Sequence, residues 1–203
     1  MKIAKAMLGG LVLAATPFLA TAADNDMSYR YFQVGYMETE VDIPGANETL
    51  DGFGTRGSFG FAENFFVFTE FSSQEIEVGS DSLELDQMAI GLGGHYPLTD
   101  NIDLVGRIGA VELDAELTIG GISEDADESG YLAGAGLRAQ AGENVQLEFG
   151  VVHQDLGDNF SDTGFEVAAR YHFNRNWAVA LEYQDIGDFS NVFAGVRYSF
   201  AKK

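Results

Sequence analysis

The chain has 203 residues, with 11 Lys and Arg against 32 Asp and Glu, 25 Gly, 3 Pro and no Cys. That is one domain's length, and a net charge of −21 with scattered basic residues excludes a nucleic-acid partner, because phosphate binding needs a Lys/Arg patch. Without cysteine there are no disulfides, thiolate metal sites, cysteine nucleophile or lipid-anchored N-terminus, and 46% hydrophobic residues are too many for a disordered chain.

Lys2 and Lys5 open a basic n-region, Met7 to Ala20 is apolar, and Ala20-Thr21-Ala22-Ala23 has the small residues of a signal-peptidase site. Residues 1–23 are therefore expected to be an export signal, cleaved after Ala22 or Ala23, with 24–203 as the mature domain. Cleavage removes two lysines and no acids, leaving 9 basic against 32 acidic residues, a net −23. The apolar stretch is short for a spanning helix, which needs ~20 apolar residues, and no other segment approaches that length. A mature chain that spans a membrane does so without helices.

Four polar tripeptides punctuate the rest: Ala62-Glu63-Asn64, Thr99-Asp100-Asn101, Gly142-Glu143-Asn144 and Asn174-Arg175-Asn176. Each ends in Asn, which tolerates the left-handed backbone of tight turns, and an apolar residue follows at once. Longer polar connections lie midway, at 41–51, 77–84, 118–129, 156–163 and 185–191. Ten strands are predicted between them, at 28–40, 52–61, 65–76, 84–97, 102–117, 130–141, 145–155, 163–173, 177–185 and 191–200.

Period-2 alternation divides these segments into an apolar face and a face of Gly, Ala and charge. The eighth sets Phe165, Val167, Ala169 and Tyr171 against Gly164, Glu166, Ala168 and Arg170, and the tenth sets Val192, Ala194, Val196, Tyr198 and Phe200 against Phe193, Gly195, Arg197 and Ser199. A soluble sandwich turns its apolar face inward. Two features favour the inverse: small residues crowd the polar faces, as at Gln87, Ala89, Gly91, Gly93 and His95, and the few cations sit opposite acids. Arg56 and Glu70 are equidistant from the turn at Glu63, and Arg138 and Glu148 from the turn at Glu143, so each pair is directly opposed across adjacent strands. Arg107, Glu166, Arg170, Glu182 and Arg197 share that face, so a lumen charge network of all nine residues is expected. The apolar face then meets lipid. Phe59, Phe61, Phe65, Tyr96, Tyr171, Phe173, Trp177, Tyr198 and Phe200 gather near the short turns as an interfacial girdle.

Export signal, alternating strands, tight turns, longer connections and a C-terminal Gly195-x-x-Tyr198-x-Phe200 together resemble small bacterial outer-membrane β-barrel proteins of the OmpA/OmpX type. The resemblance covers residues 28–200 and is one of pattern. It implies an all-β fold, a closed antiparallel up-and-down transmembrane barrel in the cell outer membrane. It further implies partners in outer-membrane lipid, lipopolysaccharide and the assembly machinery, which reads the C-terminal aromatic strand at Gly195, Tyr198 and Phe200. Ten strands exceed the eight of the smallest members, and Ala201-Lys202-Lys203 follow the terminal Phe.

The fifth segment departs from the pattern: beyond Ala110 the apolar residues Val111, Leu113, Ala115 and Leu117 change parity while Glu112, Asp114 and Glu116 are acidic, which a bulge or an extension beyond the bilayer explains. No Ser/His/Asp set is recognisable around His95, His153 or His172, so no enzyme activity, cofactor or metal is expected. Asp125-x-Asp127-x-Ser129-Gly130 opens like a calcium loop but has Gly136 where an EF-hand needs Glu. The acidic connections (Asp42 and Glu48; Glu75, Glu77, Asp81 and Glu84; Glu124 to Glu128; Asp155, Asp158 and Asp162) are expected outside the cell, where they either serve solubility or attract divalent cations at lipopolysaccharide. The functional expectation is a barrel with a structural or surface-interaction role, its lumen plugged by paired charges and its loops open to an extracellular partner. The alternative is a narrow porin-like channel for ions or small solutes, with selectivity set by the interior charges.

Overall fold

The computed structural model describes residues 27–43, 46–157 and 160–200. The predicted export signal, Asp158 and Ala201-Lys202-Lys203 lie outside the described residues, as does the side chain of Asp42. Ten strands form: β1 (Tyr31–Ile43), β2 (Ala46–Gly60), β3 (Phe65–Val78), β4 (Asp81–Thr99), β5 (Ile102–Ile119), β6 (Ile122–Ala141), β7 (Val145–Asp155), β8 (Ser161–His172), β9 (Trp177–Ile186) and β10 (Phe189–Ser199). Each pairs antiparallel with its sequence neighbours and β10 pairs with β1, so the sheet closes into an up-and-down barrel. Closure lets the wall satisfy its own backbone groups, the condition for crossing hydrocarbon.

The apolar parity faces outward. Phe32, Val34, Ile90, Leu92, Leu104, Ile108, Leu137, Phe149 and Leu181 are all exposed, while Arg56, Glu70, Arg107, Arg138, Glu148, Glu166, Arg170, Glu182 and Arg197 are buried inside. Inward glycines make room for rings. A Cβ on Gly93 would fall 2.0 Å from the Phe66 ring and one on Gly91 2.5 Å from the Phe68 ring, so both phenylalanines lie flat against the inner wall.

The short turns hold together differently from the sequence expectation. Among the described residues no amino acid other than glycine has positive φ, so the turn asparagines are not left-handed. Instead their carbonyls prolong the ladder. The carbonyls of Asn64, Asn101, Asn144 and Asn176 accept from the amides of His95, Gln140, His172 and Ser199 on the neighbouring strands, at 2.6–3.0 Å. The Asn174 side chain accepts from the amides of Asn176 and Trp177, at 2.9 and 3.0 Å, an Asx turn.

Most of the predicted long loops are strand. β1 runs to Ile43 and β2 starts at Ala46, the third hairpin turns at Gly79-Ser80, β5 meets β6 at Gly120-Gly121, and β9 meets β10 at Gly187-Asp188. Gly120 and Gly121 have φ of 60° and 81°, the double left-handed geometry of a two-residue hairpin turn. Between β7 and β8, the described residues Leu156, Gly157 and Phe160 stand outside the strands. Asp125 and Asp127 therefore stand on β6, opposite Glu116 and Asp114 of β5, and not in a cation-binding loop.

The fifth-strand question resolves as an extension. β5 keeps one register against β6 from Ile102↔Ala139 to Ile119↔Ile122, with no bulge. Its odd-numbered residues from 103 to 117 stay inside, buried at Asp103, Val105 and Arg107 and again at Val111, Leu113 and Ala115. What changes is the environment: the outward residues are Leu104 and Ile108, then Glu112, Asp114 and Glu116. β4 repeats the change, from Ile90 and Leu92 to Asp86 and Glu84 outside and from Gly91 to Leu85 inside. The register irregularity in this hairpin sits at Pro97–Thr99, beside the short turn, where a residue lacking an amide fits a bulge.

Candidate functional site

The lumen is filled in three levels. At the short-turn end, Met27 and Tyr29 enter it ahead of β1 and are buried. The Tyr29 ring stacks on Phe66 and on His95, with centroids 4.6 and 4.4 Å apart, and Ser58 donates to the Tyr29 carbonyl at 3.0 Å. Burial pushes the Tyr29 hydroxyl well above the ordinary tyrosine range. His95 stands 3.7 Å from the carboxylate of Asp103.

Above this floor lies the charge layer, where the nine predicted residues meet. Glu182 forms ion pairs with Arg56, with Arg170 at 2.8 Å and with Arg197 at 3.9 Å. Glu148 pairs with both Arg138 and Arg170. Arg107 pairs with Glu166 at 2.6 Å and stands 3.8 Å from Glu70. Arg56 and Glu70 are opposed in register, yet Arg56 crosses the lumen to β9 and Glu70 is closest to the guanidinium of β5. Arg138 does pair with the residue opposite it.

Neutral groups complete the layer. Gln33 accepts from Arg197 at 2.7 Å and donates to Glu182 at 3.1 Å, the Arg197 guanidinium lies 3.7 Å over the Tyr31 ring, and Arg56 lies 4.2 Å over Phe193. Five buried arginines thus face five buried acids once Asp103 is counted with Glu70, Glu148, Glu166 and Glu182. That matching of numbers suits a low-dielectric interior, since an unpaired buried charge is far costlier than a paired one.

Asp103 and Gln33 escaped the sequence reading, although Asp103 shares parity with Arg107 and was findable on that ground. The trans-lumen pairs were not findable from spacing, because they depend on the tilt and stagger with which the barrel closes.

The third level is a lid of hydrocarbon. Gln74 donates to Thr39 at 2.8 Å, and Thr39 in turn bonds Asn191. Above and beside them Val41, Leu50, Leu85, Val111, Leu113, Leu132, Leu156 and Phe189 are the upper part of one buried cluster that runs down through Ala89, Phe68 and Val105 to Phe66 and Tyr29 of the floor; Phe160 packs against it, its ring meeting Phe189 edge-on at 6.0 Å.

Outside, the short-turn girdle has a counterpart that the sequence reading missed. Tyr36, Phe53, Tyr131 and Phe165 are exposed at the level where the outward residues turn acidic, with Phe53 against Phe71 and Phe165 against Tyr183 at 5.9 and 5.8 Å. His153 belongs to this upper ring, bonded to Thr163 at 2.9 Å and Tyr131 at 3.4 Å. At the C-terminal strand, Tyr198 and Phe200 pack edge-on at 5.2 Å beside Trp177. Gly195 lies against β1, where a Cβ would approach the Val34 carbonyl to 2.5 Å and the Phe193 ring to 2.6 Å.

A family model described as outer membrane protein beta-barrel domain matches residues 8–173. Among solved structures, Neisserial surface protein A is similar at 12% identity, covering 85% of this chain and 98% of that one with a TM-score of 0.50. Ail of Yersinia pestis is 16% identical over 84% of this chain and 97% of its own, TM-score 0.48. OprG of Pseudomonas aeruginosa is 12% identical over 85% and 97%, TM-score 0.47. No protein with a curated description matches. At 12% identity, Neisserial surface protein A speaks for the fold alone.

Proposed function

This chain belongs to the outer membrane protein β-barrel domain family, and on that premise we propose that it is a closed, non-conducting barrel of the bacterial outer membrane with a structural and surface-presenting role. The observation that carries the reading is a lumen filled along its length: an aromatic floor at Tyr29, a paired Arg/Glu layer centred on Glu182, and an apolar cluster that continues from that floor up to Leu113 and Phe189. A conducting pore needs a continuous polar path, and a hydrocarbon lid opposes the entry of ions. The nine charges therefore act as a plug that holds opposing walls together, and catalysis has no part in this reading.

Residues 1–23 serve as the cleaved export signal and 24–203 as the mature domain, with Gly195, Tyr198 and Phe200 as the strand read by the assembly machinery. The surface presented outward is the acidic outside of the hairpins from β3 to β6, which meets lipopolysaccharide or an extracellular partner. Planar-bilayer recording on the purified, refolded protein tests the proposal. A silent bilayer is expected. Reproducible openings that disappear in Arg138→Gln or Glu148→Gln would instead make the lumen a narrow channel.

A further inference from the structure

The outward wall is not uniformly convex. A cavity of about 520 Å3 opens on it across β6, β7, β8 and β9, with a lining that is almost entirely hydrocarbon, a size within the ~300–1,000 Å3 of small-molecule sites. Its floor is one cross-strand row: Ala139 stands opposite Leu147, Leu147 opposite Ala169, and Ala169 opposite Leu181. Two methyl side chains, Ala169 between the two leucines and Ala139 beyond Leu147, leave a trough, walled above by Phe149 and Tyr183 of the next row.

The strands that carry Ala169 and Leu181 are joined by Asn174-Arg175-Asn176. Two other short turns place Glu63 and Asp100 at the matching position, and Glu143 stands there in the turn that joins β6 and β7 below the Ala139 end of the groove, so the cation lies under its Ala169 end. Arg175 is exposed and forms no ion pair among the described residues. Tyr171 and Trp177 flank it on the outward face, where amphipathic rings sit at headgroup level.

The dimensions agree with a lipid. Ala169 and Leu181 are each six residues from Arg175, roughly 20 Å along a strand at ~3.3 Å per residue and about 15 Å in depth at ~40° tilt. That depth is half of the ~30 Å hydrocarbon core, the reach of one acyl chain in one leaflet.

We propose that this groove, with Arg175 beneath it, binds one anionic glycerophospholipid of the leaflet at the short-turn end, its phosphate on the guanidinium and one acyl chain in the alanine trough. Charge decides the occupant. A planar guanidinium matches a phosphate bidentately and one headgroup charge meets that one cation, whereas a second copy would bring a net charge of −21 to the same surface. The inference rests on the wall facing lipid and is independent of whether the lumen conducts.

Trp177, the single tryptophan of the chain, reports on the site directly. The full-length protein in phosphatidylcholine vesicles is titrated with bromine-labelled phosphatidylglycerol or bromine-labelled phosphatidylcholine, and quenching of Trp177 is followed. Phosphatidylglycerol should be enriched about fivefold beside Trp177, the scale expected for one cation at an anionic lipid surface. Arg175→Glu should abolish that preference while Arg175→Lys retains part of it. Ala139→Phe with Ala169→Phe should reduce quenching by both lipids, and a gel shift on heating verifies that each variant is folded. If the filled-groove variant does not fold, the Arg175 pair decides alone. Equal quenching by the two lipids in the parent protein, or a preference unchanged by Arg175→Glu, would overturn the proposal.

Discussion

The lower and upper halves of this barrel obey opposite rules along the same strands. Near the short turns β4 and β5 show Leu92, Ile90, Leu104 and Ile108 to the outside and Arg107 and Asp103 to the lumen. Towards the hairpin tips the same strands show Glu84, Asp86, Glu112, Asp114 and Glu116 outside and Leu85, Leu113 and Ala115 within. Nothing in the backbone separates the halves, since β5 runs through in one register. Solvent alone accounts for the switch: hydrocarbon outside rewards an oily wall around a polar core, and water outside rewards the reverse. Alternation identifies a strand, and the parity that carries charge identifies the medium.

The sharpest way to break this comparison is to remove a hub from the lower half. Glu182 pairs with three arginines in a buried layer, so Glu182→Gln should cost about 3–5 kcal/mol, read as a shift in urea-unfolding midpoint in lipid or detergent. Glu112→Gln, on the water-facing wall, should leave the midpoint near the parent's. Comparable losses in the two variants would erase the distinction.

Next in size is a charge placed on each outer face. Leu92→Arg is expected to destabilise by about 2–4 kcal/mol if it lies near the bilayer midplane. Asp114→Arg, with Glu112 between it and the apolar outer face, should cost nothing, and its refolding yield into vesicles should match the parent's.

A cavity test sharpens the contrast from the inside. Leu113→Ala removes buried hydrocarbon from the lid and should cost about 2–5 kcal/mol, the range for a buried leucine. Leu104→Ala on the lipid face should cost much less, since lipid tails replace the lost contacts. Calorimetry or urea titration of the two variants in parallel distinguishes them.

The smallest effect is a gain. Asp86, Asp114 and Asp127 are opposed in register across β4, β5 and β6 on the outer face. Relieving directly opposed like charges, as in Asp114→Asn, should stabilise by roughly 0.2–1 kcal/mol at low salt. The gain should vanish near 1 M salt, where the Debye length is ~3 Å.

The lower half was the legible one. Its outward Phe, Val and Leu and its inward Gly, Ala and Arg alternate so regularly that strand number, closure and the orientation of the wall follow from parity. The upper half was misread as loops because a water-facing strand rich in Asp, Glu, Ser and Gly, such as Ile122–Gly130, has the composition of a loop, and its apolar partners Val111 and Leu113 lie on another strand. Which arginine meets which acid was legible for Arg138 and Glu148, neighbours in one hairpin. Arg56 with Glu182 and Arg107 with Glu166 join strands on different sides of the lumen, and only the closed barrel brings them together. Tyr29 gave no signal at all, because its partners Phe66 and His95 lie on β3 and β4.

The absence of native cysteine makes the decisive measurement clean. Single cysteines along β5, from position 104 to 118, carry a nitroxide, and collision rates with oxygen and with a water-soluble nickel complex are read in reconstituted vesicles. Even positions should favour oxygen at 104, 106, 108 and 110, then switch to the nickel complex at 112, 114 and 116, while odd positions from 105 to 115 stay shielded from both. Nickel access at 104 and 108, or shielding that moves to the even positions beyond 110, would contradict a single continuous strand that passes from lipid into water.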